Sequence, residues 1–247
     1  MSMLSLVGVG PGDPELLTRK AERVLREAEV IAAPVTAPGE QSQALGIIRD
    51  LLDHHRQQML PLLFPMRADR AALAPHWREA CRLVAERVRA GKRVAFVALG
   101  DPLFYATSLY LLEGMRREYP EVPLEVIPGV SSLFAAAAAG TFPLAEGAQQ
   151  LLVLPATAGE TAIGAALERS DTLVLLKVKP AFDAVMKLVE GRDDLALLFA
   201  ERVGMPGQVI LTDRAAIAAH SPDYLSLLVI RRTGSAASKD SRRERGT

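Results

Sequence analysis

Cysteine occurs once in the 247 residues, at Cys81. An internal disulfide and a cysteine-built metal cage are therefore excluded, and a lone thiol suits a reducing compartment, so a cytoplasmic chain is expected. Net charge is also missing: 29 basic side chains balance 29 acidic ones. No global field then attracts nucleic acid or an anionic membrane, and neither is expected as a partner. No apolar run is long enough to cross a bilayer. The start, Met1-Ser2-Met3-Leu4, has neither the basic region nor the small-residue cleavage site of a signal peptide. His54, His55, His76 and His220 lack acidic or cysteine neighbours at ligand spacing, so no metal site is expected. Ser131-Ser132 lacks the Gly-x-Ser-x-Gly frame of a hydrolase.

The chain does contain a regular alternation of apolar runs and helical periodicities. With 49% hydrophobic and 23% charged residues, it has ample length for one large or two small domains. Strands are expected over Leu4–Val9, Val30–Ala33, Met59–Phe64, Val94–Leu99 and Leu124–Ile127. Helices are expected over Glu15–Ala28, Gln43–Leu52, Asp69–Ala90, Tyr105–Tyr119 and Leu133–Ala139. This order argues for a parallel α/β sheet. Further on, strands are expected over Leu151–Leu154, Thr172–Lys177, Leu195–Glu201, Val209–Thr212 and Tyr224–Arg231. Helices fall at Thr161–Glu168, Pro180–Glu190 and Arg214–Ala219. The composition loosens at Pro128-Gly129 and again over 140–149, so domains of 1–128 and 129–232 are expected. The tail from 233 to 247 is expected to be disordered.

The loop after the first strand, Gly8-Val9-Gly10-Pro11-Gly12-Asp13-Pro14, is shaped by glycines that admit close approach and by a proline that stiffens the turn. It fails the dinucleotide fingerprint, because Asp13 stands where a third glycine is needed. It also fails the phosphate-loop pattern, because no Gly-Lys-Ser/Thr comes after it. Taken alone, it reads equally as a tight structural turn or as the wall of a ligand crevice.

Three motifs in order are more specific. They are Gly-Val-Gly-Pro-Gly-Asp-Pro-Glu-Leu-Leu-Thr at 8–18, Leu-Gly-Asp-Pro at 99–102 and Ile-Pro-Gly-Val-Ser-Ser at 127–132. Together they resemble the tetrapyrrole methylases over Leu4 to about Arg232. Within that family, Leu-Pro-Leu-Leu-Phe-Pro-Met at 60–66, Asp-Pro-Leu-Phe-Tyr-Ala-Thr at 101–107, Val-Leu-Leu-Lys-Val at 174–178 and Tyr-Leu-Ser-Leu-Leu-Val at 224–229 are similar to the enzymes that methylate C20 of precorrin-2 or cobalt-factor II. The resemblance implies two αβα domains with an S-adenosyl-L-methionine cleft between them, a tetrapyrrole substrate of the cobalamin pathway, and a homodimer. A methylase acting at another carbon, a relative that methylates protein or ribosomal RNA, and a non-catalytic cofactor-binding protein of the same fold are the alternatives.

The resemblance also assigns residues. Pro11, Gly100, Asp101, Thr107, Ser131 and Ser132 match cofactor contacts on the first-domain side, and Lys177, Val203 and Gly204 match them on the second. Asp101, Lys177 and Tyr224 are the expected catalytic residues. Asp101 ends a buried strand, where it is suited to act as a base or to anchor a macrocycle nitrogen; it equally suits ordering the loop through backbone hydrogen bonds. Lys177 ends an apolar strand, where a lysine facing a crevice can hold a substrate carboxylate; the alternative is a snorkelling surface lysine. Tyr224 is expected to head the last strand, with its hydroxyl toward the macrocycle or satisfied in the core. Arg67, Lys179 and Arg202 are lesser candidates for pairing with carboxylates, with solvated surface positions as their default.

Overall fold

The computed structural model describes residues 2–65 and 70–234, with the Arg70 side chain left aside. Residues 66–69 and the tail from 235 onward lie outside the described residues, and with them the expected roles of Arg67 and of the tail. The chain divides into two compact units, Met1–Ser132 and Leu133–Thr247. The first therefore runs past the expected boundary at 128, because the 128–132 loop is built into the end of its sheet.

In the first unit the order is β1 (Met3–Gly8), α1 (Arg19–Glu27), β2 (Val30–Val35), α2 (Gln43–Ile48), β3 (Gln58–Leu63), α3 (Arg70–Arg89), β4 (Arg93–Ala98), α4 (Ser108–Glu118) and β5 (Leu124–Ile127). The strands form one sheet in the order β3-β2-β4-β1-β5, and every pairing is parallel. The central strands read as continuous apolar runs because both faces are covered. Leu4 and Leu6 of β1 and Val94 and Phe96 of β4 face α3 and α4, in a cluster with Val84, Leu111 and Met115. Their neighbours Val7, Ala95 and Val97 point to the opposite face by the pleat, the side of α1, which packs on β1 and β4. Burying a side chain such as Phe96 completely is worth about 2–3 kcal/mol. Pro61 sits within β3 without breaking it, since β3 is an edge strand whose outer N–H groups need no partner. The helix expected from Glu15 begins later, at Arg19. A 3-10 turn over Pro14–Leu16 intervenes, and the Thr18 side chain caps the helix by accepting from the Ala21 N–H at 3.1 Å.

The second unit carries most of α5 (Ser132–Ala139), then β6 (Leu151–Pro155), α6 (Glu160–Arg169), β7 (Thr172–Leu176), α7 (Phe182–Val189), β8 (Leu195–Glu201), β9 (Val209–Leu211), α8 (Arg214–Ala218) and β10 (Ser226–Arg232). Its sheet runs β6-β7-β10-β8-β9. β6 and β7 are parallel, whereas β10 is antiparallel to both β7 and β8. Leu173, Leu175, Phe199, Leu228 and Ile230 face α6 and α7 around Ile163 and Phe182. The other face carries Leu198, against which Gly140, the residue just after α5, packs so closely that an added Cβ would stand 2.5 Å from a Leu198 methyl.

Candidate active site

In the first unit, β1 leads to α1 on one face of the sheet, while the neighbouring β4 leads to α4 on the other. Adjacent loops that leave a parallel sheet toward opposite faces open a crevice beyond the strand ends, the usual ligand position of such sheets. Gly10 and Gly100 meet at this point. The Gly100 N–H donates to the Gly10 carbonyl at 2.8 Å, and the Gly10 N–H donates back at 3.3 Å. Both glycines are left-handed, with φ of 77° and 70°. A third loop closes the group: a Cβ on Gly129 would lie 2.2 Å from the Gly100 oxygen and 2.8 Å from the Gly8 backbone. Only glycine lets these three backbones touch.

Asp101 ties the loops together. One carboxylate oxygen accepts from the Leu103 N–H at 2.9 Å and the other from the Gly129 N–H at 3.0 Å. The loop-ordering role is thus present in the structure, and it uses two of the roughly four lone-pair positions of the carboxylate. Pro11 is buried beside the Gly10–Gly100 bridge. Ser131 and Ser132 come soon after Gly129, and Thr107 precedes α4 without capping it through its side chain. The Ser108 hydroxyl donates to the Pro102 carbonyl at 2.5 Å, fixing the turn between Asp101 and that helix. The first unit therefore brings Pro11, Gly100, Asp101, Ser131 and Ser132 to one end of its sheet.

The second unit gathers the other group. β10 lies between β7 and β8, with Leu227 opposite Leu176 and Ser226 opposite Glu201. The residues after β7, after β8 and before β10 consequently share one end of the sheet. The Val178 N–H donates to the Ser226 carbonyl at 3.3 Å and the Arg202 N–H to the Leu225 carbonyl at 2.9 Å. Lys177 lies just past β7, exposed, at a φ of 56°, with no hydrogen bond or ion pair among the described residues. Val203 is buried, and the Gly204 N–H donates to the Gln208 side chain at 2.7 Å. Tyr224 does not head the last strand as expected: β10 starts at Ser226, and Tyr224 sits in the turn before it, 42% exposed. Partial burial pushes its phenol above the ordinary value. The Tyr224 N–H, with Arg202 as a lesser influence, holds the Asp223 carboxyl below its usual range. The candidate residues thus fall into two groups, one in each unit.

One participant was not legible in the sequence, and another was legible only as a cation. Glu201 is buried, and it accepts from the Asp223 N–H at 2.6 Å and pairs with His220 at 3.2 Å. Arg202, at a φ of 51°, donates to the Pro206 carbonyl at 3.0 Å and lies 3.5 Å from Asp223. Their partners lie 4 to 22 residues along the chain, so no local spacing advertises these bonds.

The model of the tetrapyrrole (corrin/porphyrin) methylases matches residues 3–218. The chain is a tetrapyrrole methylase. It is 38% identical over 207 residues to the cobalt-precorrin-2 C(20)-methyltransferase of Salmonella typhimurium, covering 83% of this chain and 85% of that protein. It is 30% identical over 234 residues to a precorrin-2 C(20)-methyltransferase of a Sinorhizobium species, covering 91% and 93%. Among solved structures, a uroporphyrin-III C-methyltransferase from Thermus thermophilus, complexed with S-adenosylhomocysteine, superposes with a TM-score of 0.66. That protein is 25% identical, with 93% of this chain and 97% of that one covered.

S-adenosylmethionine is the methyl donor of this family, and the first unit's loops fit such a group. A Cβ added at Gly100 would meet nothing closer than 3.9 Å, on Ser131 and Val130. The missing side chain therefore leaves bare backbone facing the main chain of Val130 and Ser131. Uncharged hydroxyls and peptide groups are what a cofactor with a carboxylate, ribose hydroxyls and an adenine edge requires when it is desolvated.

Proposed function

We propose that this methylase transfers a methyl group to C20 of the precorrin-2 macrocycle, cobalt-bearing or metal-free, in cobalamin biosynthesis. The observation that carries the reading is the likeness to two C20 enzymes, one named for each form, over more than four-fifths of the chain. The bound sulfonium supplies an electrophilic methyl group. The protein contributes alignment, since an in-line displacement needs neither a metal nor a protein nucleophile.

Pro11, Gly100, Asp101, Thr107, Ser131 and Ser132 hold the donor at the end of the first unit's sheet; Lys177, Val203 and Gly204 are assigned to it on the resemblance alone. Asp101, through the lone pairs not taken by Leu103 and Gly129, anchors a macrocycle N–H or accepts the proton that leaves the methylated carbon. Lys177, exposed and without a partner among the described residues, holds a substrate carboxylate. Tyr224 presents its ring and hydroxyl to the macrocycle. On the same resemblance the enzyme is assigned to the cytoplasm as a homodimer.

The test is incubation of the purified protein with methyl-labelled S-adenosylmethionine and, in separate arms, precorrin-2 or its cobalt form. Mass spectrometry should find one added methyl, and carbon NMR should find it at C20. A label at another carbon, or none in either arm, overturns the reading.

A further inference from the structure

The corner before β10 is held by more hydrogen bonds than a connecting turn requires. Asp223 is fixed at every polar group. Its N–H donates to the Glu201 carboxylate at 2.6 Å, and its carbonyl accepts from the Ser226 hydroxyl at 2.6 Å. Its own carboxylate accepts from the Tyr224 N–H at 2.6 Å and faces Arg202 at 3.5 Å. Glu201 is the deepest member: its side chain is 10% exposed, and the oxygen that receives the Asp223 N–H also lies 3.2 Å from His220. The His220 ring leans on Phe199 of the core, with centroids 4.9 Å apart. The corner is therefore anchored in the sheet through Glu201 and in the core through His220.

A buried carboxylate is costly unless its bonds are complete. This one satisfies the backbone of a surface turn, so its burial serves the turn. The turn presents one large side chain to solvent, Tyr224, 42% exposed. A mobile loop would present a tyrosine equally well; pinning the backbone from which a tyrosine springs is useful where the direction of its ring matters.

We propose that Glu201, braced by His220, is a positioning residue: through the Asp223 backbone it fixes the direction in which Tyr224 meets the macrocycle. This rests on the reading that Tyr224 touches substrate. Glu201 itself reaches neither the donor nor the reacting carbon.

A double-mutant cycle on the full chain separates this from a purely structural role. Turnover is measured with S-adenosylmethionine and the macrocycle that proves active, alongside thermal melting. Tyr224→Ala should lower kcat on its own. Glu201→Leu should lower kcat about tenfold to a hundredfold, the scale of a small misplacement in a reacting complex. Glu201→Gln keeps an acceptor for the Asp223 N–H and should stay within about threefold of wild type. In the Tyr224→Ala background, Glu201→Leu should cost less than about twofold more. Should Glu201→Leu not fold, His220→Phe takes its place in the same cycle. It keeps a ring against Phe199, removes the bond to Glu201, and is expected to lose its effect on kcat once Tyr224 is gone.

Effects that multiply independently overturn the proposal, as does Glu201→Gln behaving like Glu201→Leu. A silent Tyr224→Ala overturns the reading of Tyr224 and leaves Glu201 nothing to position. That outcome is distinct from failure of the proposal alone, in which Tyr224→Ala is impaired and the cycle is additive.

Discussion

Replacing Asp101 by Asn changes one atom and should destabilise the first unit. The two carboxylate oxygens each accept a backbone N–H, from Leu103 at 2.9 Å and Gly129 at 3.0 Å. An amide of the same shape offers one acceptor and turns an NH2 toward the other N–H, so one bond becomes a donor–donor contact. A hydrogen bond to a charged group contributes about 1.5–3 kcal/mol, and Asp101 is partly buried, so the net loss should be about 2 kcal/mol. In a chain of this size that lowers the melting temperature by about 4–8 °C. The Gly129 loop is held by this bond and leads directly to Ser131 and Ser132. Affinity for S-adenosylmethionine, read by titration calorimetry, should therefore fall together with stability. An unchanged melting temperature with turnover abolished would refute this reasoning and make Asp101 a purely chemical group.

Two further outcomes are expected. Lys177→Gly removes an exposed cation and also relieves a left-handed backbone at φ 56°; it should raise stability by up to about 1 kcal/mol while raising KM for the macrocycle, and a drop in melting temperature would count against it. Cys81, 1% exposed, has its thiol pushed up to about 11 by burial; a thiol kept neutral by the fold contributes stability that is present below the unfolded value of 9.0 and lost as pH rises toward 11, so wild type should lose roughly 2 kcal/mol more than Cys81→Ala between pH 8 and pH 11 in urea titrations.

The strands were legible because burial leaves a plain signature. Leu124–Ile127 and Leu195–Glu201 have the bounds expected from their apolar runs, and the parallel first sheet is a consequence of the helix between each pair of strands. Helix starts were less legible: the residues from Glu15 onward have helical spacing, yet Pro14 and the Thr18 cap place a 3-10 turn first. The corner at 220–225 was not legible at all. Tyr224-Leu225 continues the alternation of β10, so the sequence reads as strand. A long-range bond from the Asp223 N–H to Glu201, 22 residues earlier, keeps these residues out of the ladder. His220 showed no neighbour for the same reason, since its partner, Glu201, lies 19 residues earlier at the end of β8. Patterns of period two or 3.6 report burial, whereas a turn pinned by one buried carboxylate has no period.

Two strand-end cations share a strained backbone but differ in their partners. Lys177 and Arg202 stand immediately past β7 and β8, flanking the start of β10, and both are left-handed at 56° and 51°. Each such residue costs of order 1 kcal/mol where glycine would cost little; Gly10 and Gly100 avoid that cost, whereas Tyr105 and Thr141 share it. An interaction of the side chain can offset that cost. Arg202 has it within its own unit, on the Pro206 carbonyl and Asp223. Lys177 has none among the described residues, and it stands at the end of the sheet that also carries Tyr224. An exposed, left-handed lysine with no partner among the described residues is what the proposed carboxylate-holding role requires. The acetate and propionate groups of a corrin precursor have that chemistry. By the same reasoning Arg202 belongs to the scaffold of the corner, and its loss should register first in stability.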